Sequence, residues 1–241
     1  MLPDIHTPNS NHAALSPIFQ FIKFYKPNRL IQLGDFCDWD SLSTFDVNAE
    51  GDIQPIDYES SAANDLLDKI DSCLPKDCIK HMIGGNHEAR YEKFRINKGM
   101  LVGIRRMRTL NSWQEEYHLK QRGWQSVDYG RHIDMGKIVF THGWESLQPK
   151  GMAELFPGRN VIFGHLHQHS IYGCMDEKGL PIESETIGTL SKFDLSYLKG
   201  KPAKNWVNGF MYIDMRDDGT FSKHFCNIIN GKFIEYGKEF S

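Results

Sequence analysis

A short apolar segment that ends in two glycines and three polar residues constrains the fold of this chain more than any other feature. Residues 78–83 alternate imperfectly between apolar and polar side chains, as a strand of a buried sheet does. The glycines at 84–85 permit a tight turn or a close approach of two backbones. Asn86, His87 and Glu88 follow, at the end of the strand where open α/β sheets bind ligands. The stretch therefore predicts a functional site, and a polar turn that caps a helix near Glu88 is the simpler alternative.

Four other probable strands give way to polar residues in the same manner. Asp4 and His6 are two residues apart, so on extended backbone they point to the same side and suit one metal ion, although a polar turn also fits. Burying so many polar groups at one sheet edge costs more than it returns unless cations compensate. Oxygen and imidazole donors without thiolate favour Mn, Fe, Zn, Co or Ni, which predicts a pair of metal ions. The five blocks are Asp4/His6, Asp35/Asp38, Asn86/His87, His142 and His165/His167.

The remaining patterns predict an α/β fold. No linker or low-complexity segment divides the chain, so we expect a single domain over residues 1–241. Short apolar strands alternate with amphipathic helices, and the tail reads as a second, largely antiparallel sheet. The predicted helices are one that begins at Ser16-Pro17 and stops before Pro27, then 57–73 and 149–156; the predicted strands are 30–33, 78–83, 137–140, 161–163, 210–214 and 223–227.

A basic insert at residues 89–122 follows the Asn86-His87 turn directly. It carries nine Lys or Arg and three Glu, a net charge of +6 in a chain whose total is -3. A solvated helical face is the default interpretation, but the position next to the turn favours contact with a phosphate backbone. In the loop before it, at 39–56, Trp39 and Phe45 are candidates for substrate-facing aromatics or for local packing. The basic residues are Arg90, Lys93, Arg95, Lys98, Arg105, Arg106, Arg108, Lys120 and Arg122.

Composition narrows the cellular setting. Five cysteines, an odd number without zinc-finger spacing, indicate a reduced, cytoplasmic protein. No apolar run approaches the ~20 residues that cross a bilayer, so we expect no membrane partner. Residues 1–4 show neither a basic nor an apolar signal-peptide region.

The five blocks together resemble the calcineurin-like metallophosphoesterases. That family carries D-x-H, G-D-x-x-D, G-N-H-[ED], a later His that often precedes Gly, and G-H-x-H. All five motifs occur here in order, across about two thirds of the chain, at residues 4–6, 34–38, 85–88, 142–143 and 164–167. The resemblance implies an αββα sandwich, in which two mixed β-sheets lie face to face with helices outside. The antiparallel tail would then belong to the second sheet.

The resemblance also implies the roles of individual residues. Two divalent metals, Mn foremost with Fe, Zn, Ni, Co or Mg as alternatives, would promote attack on phosphorus by a bridging hydroxide. His87 would protonate the leaving group, and the Asp38 carboxylate would hold His87 in its tautomer. One metal would be bound by Asp4, His6, Asp35 and His167, and the second by Asp35, Asn86, His142 and His165.

Two departures from the family pattern matter. Protein phosphatases of the superfamily continue G-D-x-x-D with Arg-Gly, where this chain has Trp39-Asp40. We therefore expect Arg90 or another Arg of the insert, such as Arg95, to bind the substrate phosphate, with Trp39 beside it. Only three residues precede Asp4, which predicts either a short first strand or a given sequence that starts after the natural beginning of the chain.

These features predict a phosphodiesterase that acts on DNA, RNA or nucleotides. A phosphomonoesterase on nucleotides, small metabolites or phosphoproteins is the alternative enzyme. A binding module that has lost its chemistry is a third hypothesis, but it would show gaps in the ligand set or at His87, and the sequence has none.

Overall fold

The computed structural model describes residues 1–42, 55–101, 111–195, 198 and 202–241. For residues 98–101 it describes the backbone and not the side chains. The chain folds as a mixed α/β protein, as predicted. Its helices are α1 (His12–Tyr25), α2 (Ile56–Cys73), α3 (Asn86–Leu101), α4 (Trp113–Glu116) and α5 (Pro149–Leu155), with a 3-10 turn at Asp40–Leu42. Its strands are β1 (Arg29–Gln32), β2 (Ile79–Ile83), β3 (Trp124–Val127), β4 (His132–Met135), β5 (Ile138–Thr141), β6 (Asn160–Phe163), β7 (His169–Met175), β8 (Pro181–Ile187), β9 (Gly209–Met215), β10 (Phe221–Asn227), β11 (Phe233–Glu235) and β12 (Lys238–Phe240).

The first sheet is built on three parallel strands, β1, β2 and β3, with β2 in the centre. The start of the chain extends it, because the amide of Leu2 donates to Ile31 O at 2.9 Å. On the other side the amine of Met1 donates to Met211 O at 2.6 Å, which joins the antiparallel hairpin of β9 and β10 to the same sheet. The tail is antiparallel as predicted, but its hairpin lies beside the first sheet and not in the second, because Met1 and Leu2 supply the connecting edge.

The second sheet is also mixed. Its order is β4-β5-β6-β8-β7. The three inner strands run parallel, and the two edge strands run antiparallel to their neighbours. The C-terminal strands β11 and β12 form a separate small hairpin.

The side chains of each strand alternate between two apolar layers, which is what stacks the sheets. Met82 of β2 packs with α1 and α2, whereas the next residue, Ile83, faces the other sheet. In β6, Ile162 meets Ile83 in the middle layer, while Phe163 turns outward towards α5. The layers are therefore helix, sheet, sheet and helix, the αββα sandwich that the resemblance implied.

The start of α1 differs from the sequence prediction. Asn11, not Ser16, caps the helix: its side-chain oxygen accepts from the amides of Ala13 at 3.1 Å and Ala14 at 3.3 Å. Pro17 lies inside the helix on its buried face. The Ser-Pro pair was a misleading start signal, since a true side-chain cap five residues earlier satisfies the free amides.

Two further observations concern the cysteines and the lengths of the helices. All five cysteines are free. In the part of the chain that the structure describes, each helix is too short or too polar to span a bilayer.

Candidate metal centre

The carboxyl ends of the inner strands of both sheets deliver the five polar blocks to one place. Asp35 follows β1, and Asn86 begins α3 just after β2. In the facing sheet, His142 follows β5, and His165 and His167 follow β6. Asp4 joins them through its side chain, since His165 N donates to the Asp4 carboxylate at 2.9 Å.

Glycines let these loops approach each other closely. A Cβ at Gly85 would overlap the backbone and carboxylate of Asp35, and one at Gly164 would overlap the carboxylate of Asp4. Both positions require glycine because no side chain fits between the loops. The close backbone approach predicted for the 84–85 turn is thus confirmed at Gly85.

Four of the candidate ligands themselves have left-handed backbone. The φ angles are 54° at His6, 48° at Asp35, 68° at His165 and 58° at His167. Residues other than glycine rarely adopt this conformation, which costs on the order of 1–3 kcal/mol at each position and collects at functional sites. The loops are therefore held in a shape that local preference alone does not select.

A buried group of three side chains forms one half of the centre. His6 Nε2 lies 2.9 Å from His167 Nε2, and His167 Nε2 lies 3.1 Å from Asp4 Oδ2. All three residues are buried, and their ligand atoms lie within 4.8 Å of one another. Asp35 adjoins the group, with its Oδ2 3.9 Å from His6 Nε2.

An open group of three side chains forms the other half. His142 Nε2 lies 3.0 Å from Asn86 Oδ1 and 3.2 Å from His165 Nδ1. The same nitrogen lies 3.3 Å from Asp35 Oδ2, so Asp35 stands between the two groups. Asn86 and His165 are partly exposed, unlike the members of the buried group. The structure thus brings together all seven predicted ligands.

The hydrogen bonds of the histidines turn lone pairs towards the centre. His142 Nδ1 lies 2.9 Å from Leu33 O, and His165 Nε2 contacts Glu145 O. A carbonyl oxygen only accepts, so these nitrogens carry the protons, and in the neutral rings the opposite nitrogens, His142 Nε2 and His165 Nδ1, are acceptors. His6 Nδ1 is likewise 2.7 Å from Asp38 Oδ1. These nitrogen lone pairs face the oxygen atoms of carboxylates and an amide, and the two kinds of atom repel each other unless a cation lies between them. The donor set therefore fits divalent metals.

The charges of the protein favour positive charge at this centre. Burial lowers the pKa of His6, but the carboxylates of Asp38, Asp35 and Asp4 outweigh it and raise the pKa to about 9. Burial likewise opposes the effect of Asp35 and Asp4 on His142, whose pKa also rises to about 9. The metal-free site therefore takes up protons where cations would bind.

The profile of the calcineurin-like phosphoesterase family matches residues 2–176, which include all five polar blocks. The chain belongs to this family. Its members are metal-dependent phosphoesterases, in agreement with the donor groups described above. Among curated proteins, none matches the chain.

In this member of the family, Asp38 orients two histidines by different atoms. Its backbone oxygen lies 2.6 Å from His87 Nδ1, whereas its carboxylate lies 3.6 Å from that nitrogen and 2.7 Å from His6 Nδ1. The carboxylate is also held by Asn9 Nδ2 at 2.6 Å. The structure thus corrects the prediction for Asp38: its carbonyl contacts Nδ1 of His87 and fixes the tautomer, and its carboxylate orients the candidate ligand His6.

His87 faces the centre with its other nitrogen. Nε2 lies 3.8 Å from Asp35 Oδ2, and the ring packs edge-on against His6 with centroids 4.7 Å apart. Burial outweighs the nearby carboxylates and lowers the pKa of His87 to about 4. The free imidazole is therefore neutral, with its proton on Nδ1 and a lone pair on Nε2.

The three predicted substrate-binding residues have different surroundings. Arg90 lies at the site, with Nη1 3.3 Å from Asp38 O. Arg95 instead pairs with Glu92 on the same helix, at 2.7 Å. Trp39 is fully buried against Tyr91 and Tyr117, so the prediction of a substrate-facing indole is wrong and the local-packing alternative holds.

The basic insert is only partly described. Arg122 is committed to ion pairs with Asp68 and Asp71, and its charge is neutralised there. Arg105, Arg106 and Arg108 lie outside the described residues, as does Phe45. The +6 charge of the insert is therefore not presented as one continuous patch by the described residues.

Glu88 has a structural role that was not predicted from the sequence. Its buried carboxylate accepts from the amides of Gly85 at 2.8 Å, Asp35 at 3.0 Å and Phe36 at 3.0 Å. The hydroxyl of Tyr117 donates to it at 3.0 Å. Glu88 thus ties the loop after β1 to the turn after β2. Its place at the end of G-N-H-E was the available signal.

Trp206 is a second residue that sequence reasoning missed. Its ring lies with its centroid 4.2 Å from that of His167, at an interplanar angle of 78°. It comes from the long connection between β8 and β9, far along the chain from every motif. No periodicity or motif in that connection could have placed it at the metal centre.

Proposed function

We propose that the protein is a two-metal phosphodiesterase that acts on nucleic acid or nucleotides. The observation that carries this proposal is the placement of Asp35 between two groups of inward-facing donors. A shared carboxylate between two sets of donors suits a pair of divalent cations, and oxygen and imidazole donors accommodate Mn, Fe, Zn, Co or Ni. We take Mn²⁺ as the first of these, as the family resemblance implies. Cations bound there would lower the pKa of a water molecule and supply the nucleophile at neutral pH.

The residues around the donors would then complete the reaction. Nε2 of His87 faces the centre, so a proton held on it is placed to pass to the leaving oxygen. The negative charge of a bound phosphate raises the pKa of a neighbouring imidazole, whereas nearby cations lower it, so the protonated form of His87 would require bound phosphate. The carbonyl of Asp38 keeps the ring in place throughout, by its contact with Nδ1.

The small number of arginine side chains at the site favours a phosphodiester substrate over a phosphoprotein. Arg90 reaches the loop that carries Asp38, whereas Arg95 is paired with Glu92 and the position after Asp38 holds the buried Trp39. A diester carries a single negative charge and a monoester close to two, so the diester requires less cationic compensation. The guanidinium of Arg90 is suited to one phosphate oxygen pair.

The direct test compares bis-p-nitrophenyl phosphate with p-nitrophenyl phosphate, each with Mn²⁺. We expect the diester to be cleaved with the larger kcat/KM. A reversed preference would identify a phosphomonoesterase, and no hydrolysis of either ester by the Mn²⁺-loaded protein would support a binding module. A panel of single- and double-stranded DNA, RNA, cyclic nucleotides and nucleoside monophosphates then identifies the substrate class. If duplex nucleic acid binds, log affinity should fall by about 0.9 per neutralised phosphate for each log unit of salt.

A further inference from the structure

Two aromatic side chains form a corner beside the buried half of the metal centre. We call Phe193 and Trp206 the aromatic corner. Their ring centroids lie 6.2 Å apart and their planes meet at 81°, so the two rings stand nearly perpendicular. Trp206 also contacts the ring of His167. The corner therefore touches a metal ligand directly.

The backbone around the corner is fixed to the ligand loops. Val207 N donates to His167 O at 3.0 Å, directly after Trp206. On the other side of the connection, Leu190 N donates to Asp4 O at 2.7 Å, and the hydroxyl of Thr189 donates to the same oxygen at 2.9 Å. Both ends of this connection are thus attached to residues of the buried group, which sets the position of the rings relative to the centre.

The rings are accessible, and charged residues of both signs, Asp194 among them, lie near them in the chain. Phe193 is 41% exposed, and Trp206 is partly exposed. Lys192 and Lys204 lie close to them in the chain and are exposed as well. Accessible rings next to a phosphate-binding centre suit a substrate that carries a flat ring beside its phosphate.

We propose that the aromatic corner stacks a nucleobase of the substrate, next to the phosphate that is cleaved. Every base presents a π face, so stacking on Trp206 or Phe193 selects nucleotides over other phosphodiesters without selecting a sequence. This inference rests on the proposed phosphodiesterase function and names its substrate class more closely.

The experiment uses two dinucleotides with Mn²⁺: thymidylyl-thymidine, and the same diester with tetrahydrofuran abasic units in place of both nucleosides. Trp206→Ala should lower kcat/KM for the base-bearing diester by about 5- to 150-fold, mainly through KM, and leave the abasic diester within twofold of wild type. Trp206→Phe should retain most of the activity, and Phe193→Ala should show a smaller loss. Phe24→Ala, which changes a similarly exposed Phe on α1, serves as the matched control.

The outcomes separate this inference from the proposed function. An equal loss on both diesters would show that Trp206 only supports His167, and no loss on either would show that the corner does not meet the substrate; both overturn the inference. Metal content of Trp206→Ala, measured by elemental analysis, should equal that of wild type.

A binding measurement covers the case in which neither dinucleotide is cleaved. Calorimetry on Mn²⁺-loaded His87→Ala, with and without Trp206→Ala, compares thymidine 5′-monophosphate with deoxyribose 5-phosphate. Base-dependent binding that requires Trp206 would uphold the inference while the phosphodiesterase proposal fails. Equal binding of the two ligands would overturn the inference by itself.

Discussion

The two halves of the metal centre are built in different ways. In the buried group, the candidate ligand His6 is oriented by a side chain, the carboxylate of Asp38. In the open group, His142 and His165 are oriented by the backbone oxygens of Leu33 and Glu145. Partners of a metal-binding imidazole fix its tautomer and its basicity, so both halves are preorganised, but by different means.

This difference indicates in which half the orientation of a histidine can be changed by substitution. A side-chain partner can be removed without changing the fold, whereas a carbonyl partner cannot. The buried group is also the half that contacts the aromatic corner, and the open group is the half that solvent reaches. We therefore expect substitutions around the buried group to act on one ion at a time, and substitution of the shared Asp35 to act on both.

The largest effect should follow Asp35→Ala. Asp35 is the ligand shared by both groups of the proposed centre. Without its carboxylate each ion loses one donor and part of the negative charge that holds it, so both ions and all hydrolysis should be lost. Elemental analysis and bis-p-nitrophenyl phosphate turnover measure this. The control is Asp134→Ala, which removes an exposed carboxylate that pairs with Arg159. Retention of one tightly bound ion would show that the two halves are independent.

The next largest effect should follow His87→Ala. Loss of a general acid lowers turnover by about 10²–10⁴-fold, while both ions should stay bound because His87 is outside the proposed ligand set. Steady-state kinetics and metal content on the same preparation give both readouts. Full activity in this variant would remove His87 from the mechanism, whichever half of the centre it serves.

Asp38→Ala tests the comparison itself. It removes the partner of His6 but keeps the carbonyl that holds His87, so it should weaken one ion by about 10–100-fold and leave the other unchanged. Titration of the metal-free protein with Mn²⁺ should resolve one weakened site, and excess Mn²⁺ should restore kcat. Equal weakening of both sites would contradict the separate construction of the two halves.

The smallest effect concerns the pH dependence of folding stability. It involves Glu59, which contacts the segment directly after Asp38. Glu59 accepts from Asp40 N at 2.6 Å and from the hydroxyl of Ser41, and burial raises its pKa to about 7. Because an unfolded Glu titrates near 4.5, ionisation opposes folding: stability is greatest below that pH and is lost as pH rises through about 7. Glu59→Gln should therefore gain on the order of 1–2 kcal/mol relative to wild type between pH 5 and pH 8.

Urea unfolding at both pH values measures this gain. The matched control is Glu239→Gln, an exposed glutamate that pairs with Lys232. Identical pH dependence of Glu59→Gln and wild type would show that Glu59 does not change ionisation on folding. Metal affinity should be unchanged, which separates this segment from the ligands themselves.

The proximity of the candidate ligands could be predicted from sequence because strand ends impose where they lie. Once 30–33, 78–83, 137–140 and 161–163 are recognised as strands, the polar residues after each must meet at the sheet edges, whatever the exact boundaries. The contacts between loops could not be predicted in this way. The choice of Asp38 between His6 and His87 depends on left-handed backbone at Asp35 and Trp39, which no periodicity reveals.

The surroundings of individual aromatic residues could not be predicted from the sequence either. Trp39 stands in a polar sequence and is buried, because Tyr117, 78 residues later, returns to accept its indole N–H. Trp206 stands in an equally polar sequence and is partly exposed at the centre. Local sequence does not distinguish these two surroundings, since both depend on distant segments.

The left-handed backbone at four ligand positions has a consequence for ion selectivity. Sheets hold those loops, so we expect the opening between the candidate donors to keep its radius when an ion enters. A cage of fixed size discriminates by ionic radius: Mg²⁺ requires bonds of about 2.0–2.1 Å in near-octahedral array, whereas Ca²⁺ requires about 2.3–2.6 Å and more ligands. Discrimination by size, set by the peptide chain, would then add to the chemical preference of the imidazoles.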